Sequence, residues 1–302
     1  MNTDHRRYTT PVMDSARWER VRLRAGDIVV ATPYKAGTTW TQMLCALVVH
    51  GAPPFPSPLP LLSTWVDRTL VPVDEMAARF DAQPSPRILK THTPKDGLPD
   101  LTAARVVVCG RDPRDAFLSM LDHVDNLSPQ ARAAAGGSAA ERVDPGRLFR
   151  YWMTNGSHPW EADGAPFGPY FHHIRSFWEV RASPGVLFVH YADLCRDLDG
   201  EFARLAAFLG ASPSAAERAR LLESASFAAM RRDADTLAPG ADGSSLLCNA
   251  DFFRHGRVGA WREAISEDNQ RLYRLLSRKR YDAAMLDWLE NGRAAAGDPA
   301  RL

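Results

Sequence analysis

The most constraining stretch of the chain is residues 27–51, DIVVATPYKAGTTWTQMLCALVVHG. Ile28 to Thr32 is a short apolar, β-branched run, the pattern of a strand buried on both faces. Pro33-Tyr34-Lys35-Ala36-Gly37 supplies a turn, and Thr38 to His50 is a mostly apolar helical stretch with Gly51 as its stop. A strand that breaks into a small-residue turn and feeds a helix makes an anion site. The first N–H groups of such a helix have no acceptor, and its dipole directs positive charge at the turn. Lys35 adds a charge, and Thr38 and Thr39 add hydroxyl donors. This is not a Walker A loop, G-x-x-x-x-G-K-[ST], because the lysine precedes the glycine by two residues.

Three further strands follow from apolar runs: 87–92 (RILKTH), 105–110 (RVVVCG) and 186–191 (VLFVHY). Asp112-Pro113 opens a helix as N-cap and first residue, with Asp115 third and Ala116, Phe117, Met120, Leu121 and Val124 on one face. Helices are also expected around 15–23, late in 61–82, over 171–181, over 198–209 closed by Gly210, from Ser212-Pro213 onward, and over 269–289. Proline density makes 51–60 irregular. Residues 128–140 read as a mobile insertion, 236–249 as a polar loop and the last dozen residues as frayed. Strands alternating with helices, with no repeat and no long linker, predict a single α/β domain over 1–302 with its core at about 27–290. Its centre is a parallel sheet with helices on both faces, built on a P-loop-like strand-loop-helix.

A net charge of +1 announces no polyanion-binding surface, so basic groups that matter must act locally and nucleic acid is not expected. No apolar run reaches the length of a membrane span, and the N-terminal residues do not form a signal peptide. The four cysteines (Cys45, Cys109, Cys195, Cys248) lack metal-site spacing, which fits a reducing cytoplasm. Lysine is scarce against arginine: Lys35, Lys90, Lys95 and Lys279 are all there are. Two of these lie inside motifs.

In an open α/β sheet, ligands gather beyond the carboxyl ends of the strands. Lys90-Thr91-His92-Thr93-Pro94 ends the second strand there, and a histidine at that edge can take a proton from an attacking hydroxyl near neutral pH. The third strand ends in Cys109-Gly110-Arg111-Asp112-Pro113. Arg111 can fork onto a phosphate or pair locally with Asp115, and Ser119 lies on the helix that opens there. Phe252-Phe253-Arg254-His255-Gly256, running on to Trp261, is a basic, glycine-containing loop. Trp40 can stack on a base or fill a core.

In order, these motifs resemble the cytosolic-type sulfotransferases, which use 3′-phosphoadenosine 5′-phosphosulfate (PAPS). The family's loop usually reads Pro-x-Lys-Ser-Gly-Thr-Thr-Trp, so Ala36 departs by one hydroxyl. The resemblance implies that Lys35, Ala36, Gly37, Thr38 and Thr39 hold the 5′-phosphosulfate, that Lys90 assists, and that His92 is the catalytic base. Arg111, Ser119, Arg254, His255 and Gly256 would bind the 3′-phosphate, although His255 stands where lysine is usual and Gly110 interrupts the usual Cys-Arg-Asn-Pro. Trp40, Tyr191, Ser226 and Phe227 would surround the adenine. The family's dimerisation segment has no match in 262–271. The resemblance covers 27 to about 261. It implies transfer of a sulfuryl group to a hydroxyl, less readily an amine, of a small molecule, with 3′,5′-ADP (PAP) as product and no metal.

The acceptor pocket is expected from loops at 55–86, 123–170 and 233–252. Their aromatics (Phe55, Trp65, Phe80, Tyr151, Trp152, Trp160, Tyr170) suit an apolar or aromatic alcohol or phenol, or core packing. Glu75 is the alternative base. The rival readings are a P-loop-type kinase or hydrolase, for which no Walker lysine or acidic metal ligand is visible, and a non-catalytic nucleotide-binding protein, which has no need of His92.

Overall fold

The computed structural model describes residues 5–136, 143–242, 245–254 and 256–302. Four parallel strands, β1 (Ile28–Ala31), β2 (Ile88–Thr91), β3 (Arg105–Gly110) and β4 (Val186–His190), form one sheet in the order β2-β1-β3-β4. The strands read as continuous apolar runs because both faces are covered. Alternate side chains of each strand go to different layers. Val29, Ala31, Leu89, Val106 and Val108 pack with Phe117, Phe149, Trp152, Phe171, Phe177 and Trp288 on one side. Ile28, Val30, Ile88, Val107 and Val189 pack with Met43, Leu44, Leu47, Phe202 and Leu205 on the other.

Helix α1 (Thr38–His50) follows β1, and Gly51 ends it with φ 78°. Helix α2 (Pro113–Asp125) follows β3, with the Asp112 carboxylate accepting from Arg114 N and Pro113 at its first position. Helix α3 (Leu198–Phe208) stops before Gly210. These boundaries agree with the expected ones to within one residue, because in each a cap residue stands beside a clear apolar period.

Several boundaries differ from expectation. The helix expected from Ser212-Pro213 is α4 (Ala215–Leu222), because Ser214 and Glu217 form a reciprocal capping box two residues later. The segment expected as a mobile insertion contains a short helix, Pro129–Ala134, capped by Ser128; residues 137–140 of it lie outside those described. The expected helical tail is two helices, α5 (Glu267–Arg280) and α6 (Ala283–Asn291). Tyr281 is extended between them, and the Asp282 side chain starts the second by accepting from Met285 N. The last dozen residues are held: Arg293 donates to Glu201 and, through its N–H, to Asp193, and Arg181 donates to the Leu302 carbonyl. Tyr8, Met13 and Trp18, ahead of the expected core, are fully packed.

At the amino ends of β1 and β2, Arg87 and Asp27 form a bidentate pair, Nη2–Oδ2 2.6 Å and Nε–Oδ1 3.1 Å, and neither side chain has any exposure. The pair locks the register of the two strands whose opposite ends carry Lys35 and His92. Asp27→Ala leaves a buried guanidinium with only the exposed Asp81, 4.0 Å away, as counter-charge. Urea unfolding at pH 7 is expected to register a loss of about 3–5 kcal/mol; a loss below about 1 kcal/mol contradicts a structural role for the pair.

Candidate active site

The strand order reverses between β1 and β3, so the connections leaving those strands part and a crevice opens at their carboxyl ends. The strands being parallel, the residues following all four reach one edge: 32–37, His92, Arg111 and Tyr191.

The 32–37 loop is held through its carbonyls. Cys109 Sγ donates to Ala36 O at 3.0 Å and Arg111 Nη1 to Lys35 O at 3.3 Å. The Thr32 and Thr38 hydroxyls share a 2.6 Å hydrogen bond. Lys35 (φ 63°) and Gly37 (φ 108°) are both left-handed. At Gly37 a Cβ would also lie 3.1 Å from the Tyr191 ring and 3.3 Å from Cys109 Sγ, so both conformation and space require glycine. No side chain caps α1. The N–H groups of Thr38, Thr39 and Trp40 precede the first intrahelical bond, from Thr41 N to Gly37 O, and have no acceptor within the helix.

Three cations converge on this loop. Lys35 Nζ sits 4.0 Å from the centre of the Phe252 ring, Lys90 Nζ 4.9 Å from that of Trp65, and the Arg111 guanidinium 4.3 Å from that of Tyr191. Arg111 Nη2 also donates to Arg257 O at 3.1 Å, while its Nε is buried without a partner. Neither Lys35 nor Arg111 has a bonded carboxylate among the described residues. Burial first, then the charges of Arg111 and Lys90, bring the Lys35 ammonium down to about 7 against a weaker opposing pull from Asp122. Unneutralised positive charge beside unsatisfied N–H groups is the electrostatics of an anion site.

His92 faces the same crevice. Its Nδ1 lies 2.7 Å from Thr32 O. A carbonyl only accepts, so Nδ1 carries the proton and Nε2 keeps its lone pair. Tyr34 stacks on the imidazole at 4.1 Å and 27°, and Trp65 meets it edgewise at 5.0 Å. Burial within these rings, followed by the charge of Lys90, holds the imidazolium well below its usual range, so the ring is neutral at pH 7.

A second lobe lies past Gly37. Trp40 Nε1 donates to Ala225 O at 3.0 Å and its ring meets Tyr191 edgewise at 5.6 Å. Ser226 caps the helix Phe227–Arg232, and a Cβ on Gly256 (φ 60°) would touch the Phe227 ring at 2.9 Å. Ser119 lies half-buried on the second turn of α2, where its hydroxyl makes no hydrogen bond among the described residues. Arg254 Nη1 is bound to Asp122 Oδ1 at 2.7 Å, one turn past Ser119, so a ligand claiming Arg254 must displace a carboxylate. His255 lies outside the described residues.

Residues 25–284 match the family model described as a sulfotransferase domain. The chain belongs to the sulfotransferase family. A glycolipid sulfotransferase of Mycobacterium bovis is 33% identical over 99% of this chain and 98% of its own length. Cytosolic sulfotransferase 1 of Danio rerio is 29% identical over 81% of this chain and 80% of its own. Among solved structures, retinol dehydratase in complex with androsterone and inactive cofactor PAP superposes with a TM-score of 0.70 at 21% identity, covering 88% of this chain and 85% of that one. A mouse sulfotransferase complexed with PAP superposes with a TM-score of 0.66 at 20% identity, over 90% of each chain. The fold is that of the sulfotransferases.

In this sulfotransferase site, Asp67 was not singled out from sequence, and Asp115 was expected only as the third residue of its helix and a local partner for Arg111. Asp115 does not pair with Arg111; its carboxylate accepts from Gly259 N (2.6 Å) and Trp261 N (3.0 Å) and ties the 256–261 loop to the start of α2. Asp67, with no exposure, accepts from the Trp18 and Trp65 indoles, Thr91 Oγ1 and His92 N. An acidic residue inside an apolar run (Trp65-Val66-Asp67) was the available signal. Glu75 is half-exposed and bound to Arg79 on its own helix, and no bond links it to His92. Phe80, Trp152 and Tyr170 are core residues, Phe55 packs beside His50, Tyr151 is exposed and Trp160 stacks on His158; Trp65, joined by Tyr34, is the aromatic of the expected set that meets His92.

Lys35 at about 7 implies proton linkage. A bound anion raises the ammonium above the free value, so binding takes up a proton where free Lys35 is neutral. PAP affinity is expected to fall as pH rises from 7 to 9, by up to about tenfold per unit, and calorimetry in buffers of different ionisation enthalpy at pH 8 is expected to show net uptake. Proton-neutral binding over that range contradicts the placement of Lys35 against the anion.

Proposed function

We propose that the enzyme transfers the sulfuryl group of PAPS to the hydroxyl of a small acceptor with an apolar or aromatic body. The observation that carries this reading is the tautomer of His92: a neutral imidazole with Nε2 free, on the same edge as an uncapped helix N-terminus and three cations. An acceptor oxygen attacks sulfur, its proton passes to His92 Nε2, and the bond from sulfur to the 5′-phosphate oxygen breaks with its electron pair going to that oxygen. Lys35, Lys90 and the loop N–H groups offset the charge gathering on the departing phosphate. The transition state is loose, as in phosphoryl transfer, so positioning and electrostatics carry the rate.

Arg111 and Ser119 suit the 3′-phosphate, with Arg254 joining once it leaves Asp122. Trp40, Tyr191 and Phe227 suit the adenine. The aromatic wall of Tyr34 and Trp65 supports an acceptor whose hydroxyl is carried on an apolar body. The glycolipid sulfotransferase relative makes a glycolipid hydroxyl one such candidate beside simple phenols. No helix of the described residues is long and apolar enough to cross a membrane. The name of the cytosolic sulfotransferase relative supports a cytoplasmic enzyme.

The test is transfer of radiolabelled sulfuryl from PAPS to a panel of phenols, aliphatic alcohols and glycolipids. A labelled sulfate ester is expected with at least one acceptor of the panel. His92→Ala is expected to lose on the order of a hundredfold or more in kcat with PAP affinity nearly unchanged. Lys35→Arg, which keeps charge but replaces a compact ammonium by a plane, is expected to lose on the order of a hundredfold or more. Normal turnover by His92→Ala across pH places the base elsewhere, and full activity of Lys35→Arg reduces that lysine to bulk positive potential.

A further inference from the structure

Asp67 lies under the active edge, where its charge acts on Arg17 and on Tyr34 of the anion loop. Its carboxylate is surrounded by neutral donors. Oδ1 accepts from Trp18 Nε1; Oδ2 accepts from Thr91 Oγ1 at 2.7 Å, His92 N at 3.0 Å and Trp65 Nε1 at 3.2 Å. The Thr91 hydroxyl in turn accepts from Thr93 N at 3.0 Å. One carboxylate thus fixes the backbone on both sides of His92, where the chain leaves β2, and holds the indole that meets the imidazole edge-on and covers Lys90. Thr32 O fixes the ring itself. The imidazole has two anchors, one on its backbone and one on Nδ1.

A fully buried carboxylate is costly. What an apolar residue cannot do is gather donors from four separate residues onto two oxygens. We propose that Asp67 is a positioning residue for the transfer step, setting where His92 Nε2 and the Trp65 wall stand relative to the acceptor hydroxyl; this rests on the reading of His92 as the base. Asp67 touches neither donor nor acceptor and acts through His92. A base displaced by about 1 Å costs on the order of a hundredfold in rate, so the carboxylate can matter greatly to turnover while leaving nucleotide binding alone.

The test is a double-mutant cycle with His92. Asp67→Asn keeps the volume but turns one oxygen into a donor, which must then face another donor. Asp67→Asn is expected to lose about 10–100-fold in kcat with PAP affinity within about twofold of the parent. In a His92→Ala background the same substitution is expected to cost less than about threefold, because the group it positions is gone. A general loosening of the fold would instead weaken PAP binding and reduce the rate by the same factor in both backgrounds. Wild-type kcat in folded Asp67→Asn, or an undiminished loss in the His92→Ala background, overturns the inference alone. Full activity of His92→Ala overturns the base reading and the inference with it. If Asp67→Asn does not fold, Thr91→Val, which removes the hydroxyl relay and keeps the side-chain shape, carries the same cycle. A smaller loss in kcat that vanishes with His92→Ala supports the inference, and an unchanged kcat overturns it.

Discussion

The site depends on a loop whose carbonyl oxygens are tied to the protein while its positive ends are left open. Cys109 and Arg111 take the carbonyls of Ala36 and Lys35. Gly37 turns the chain in a left-handed conformation against Tyr191, and α1 starts without a side-chain cap. A backbone fixed in this way cannot relax its N–H groups onto internal acceptors, and Lys35 has no bonded carboxylate among the described residues. The free protein therefore holds positive charge that burial and Arg111 make unfavourable, as the lowered Lys35 ammonium records. An anion of matching size relieves that repulsion, so part of the binding free energy is present before the ligand arrives.

Carboxylates are placed elsewhere in the same region, where they build rather than neutralise. Asp27 pairs with Arg87 at the amino ends of the strands. Asp115 accepts from the backbone at Gly259 and Trp261, bringing that loop over Arg111. Asp67 gathers donors around His92. Asp122 is the exception: it occupies Arg254 and opposes the depression of Lys35, so it competes for the charges a phosphate would use. With Asp27 bonded to Arg87 and Asp67 and Asp115 to neutral donors, Lys35 and Arg111 keep no bonded carboxylate among the described residues.

Much of this arrangement is legible in the sequence because local signals agree with the global fold. The β-branched run before Thr32, Gly37, the Asp112-Pro113 cap and Gly51 each act within a few residues, and the positions of Lys35, His92 and Arg111 follow from strand ends on a parallel sheet. What is not legible depends on partners far apart in the chain. Asp67 draws on Trp18 and Thr91, and Asp115 on Gly259, separations that no periodicity records. Arg111 with Asp115 looked like a local pair, yet the helix turns the carboxylate toward the 259–261 backbone. The C-terminal residues looked frayed by composition, but Arg293 finds Glu201 and Asp193. Aromatic residues were ambiguous for a related reason: Trp65 at the site and Trp152 in the core are equally apolar, and only packing separates them.

The central claim is that the crevice between β1 and β3 recognises a nucleotide with two separate anionic ends, one at the 32–40 loop and one at Arg111 and Ser119. The most direct measurement is calorimetric comparison of PAP with 5′-AMP at fixed pH and ionic strength. The account predicts that PAP binds at least an order of magnitude more tightly, since charge-assisted hydrogen bonds from Arg111 contribute about 1.5–3 kcal/mol. Equal affinity for the two nucleotides would contradict it.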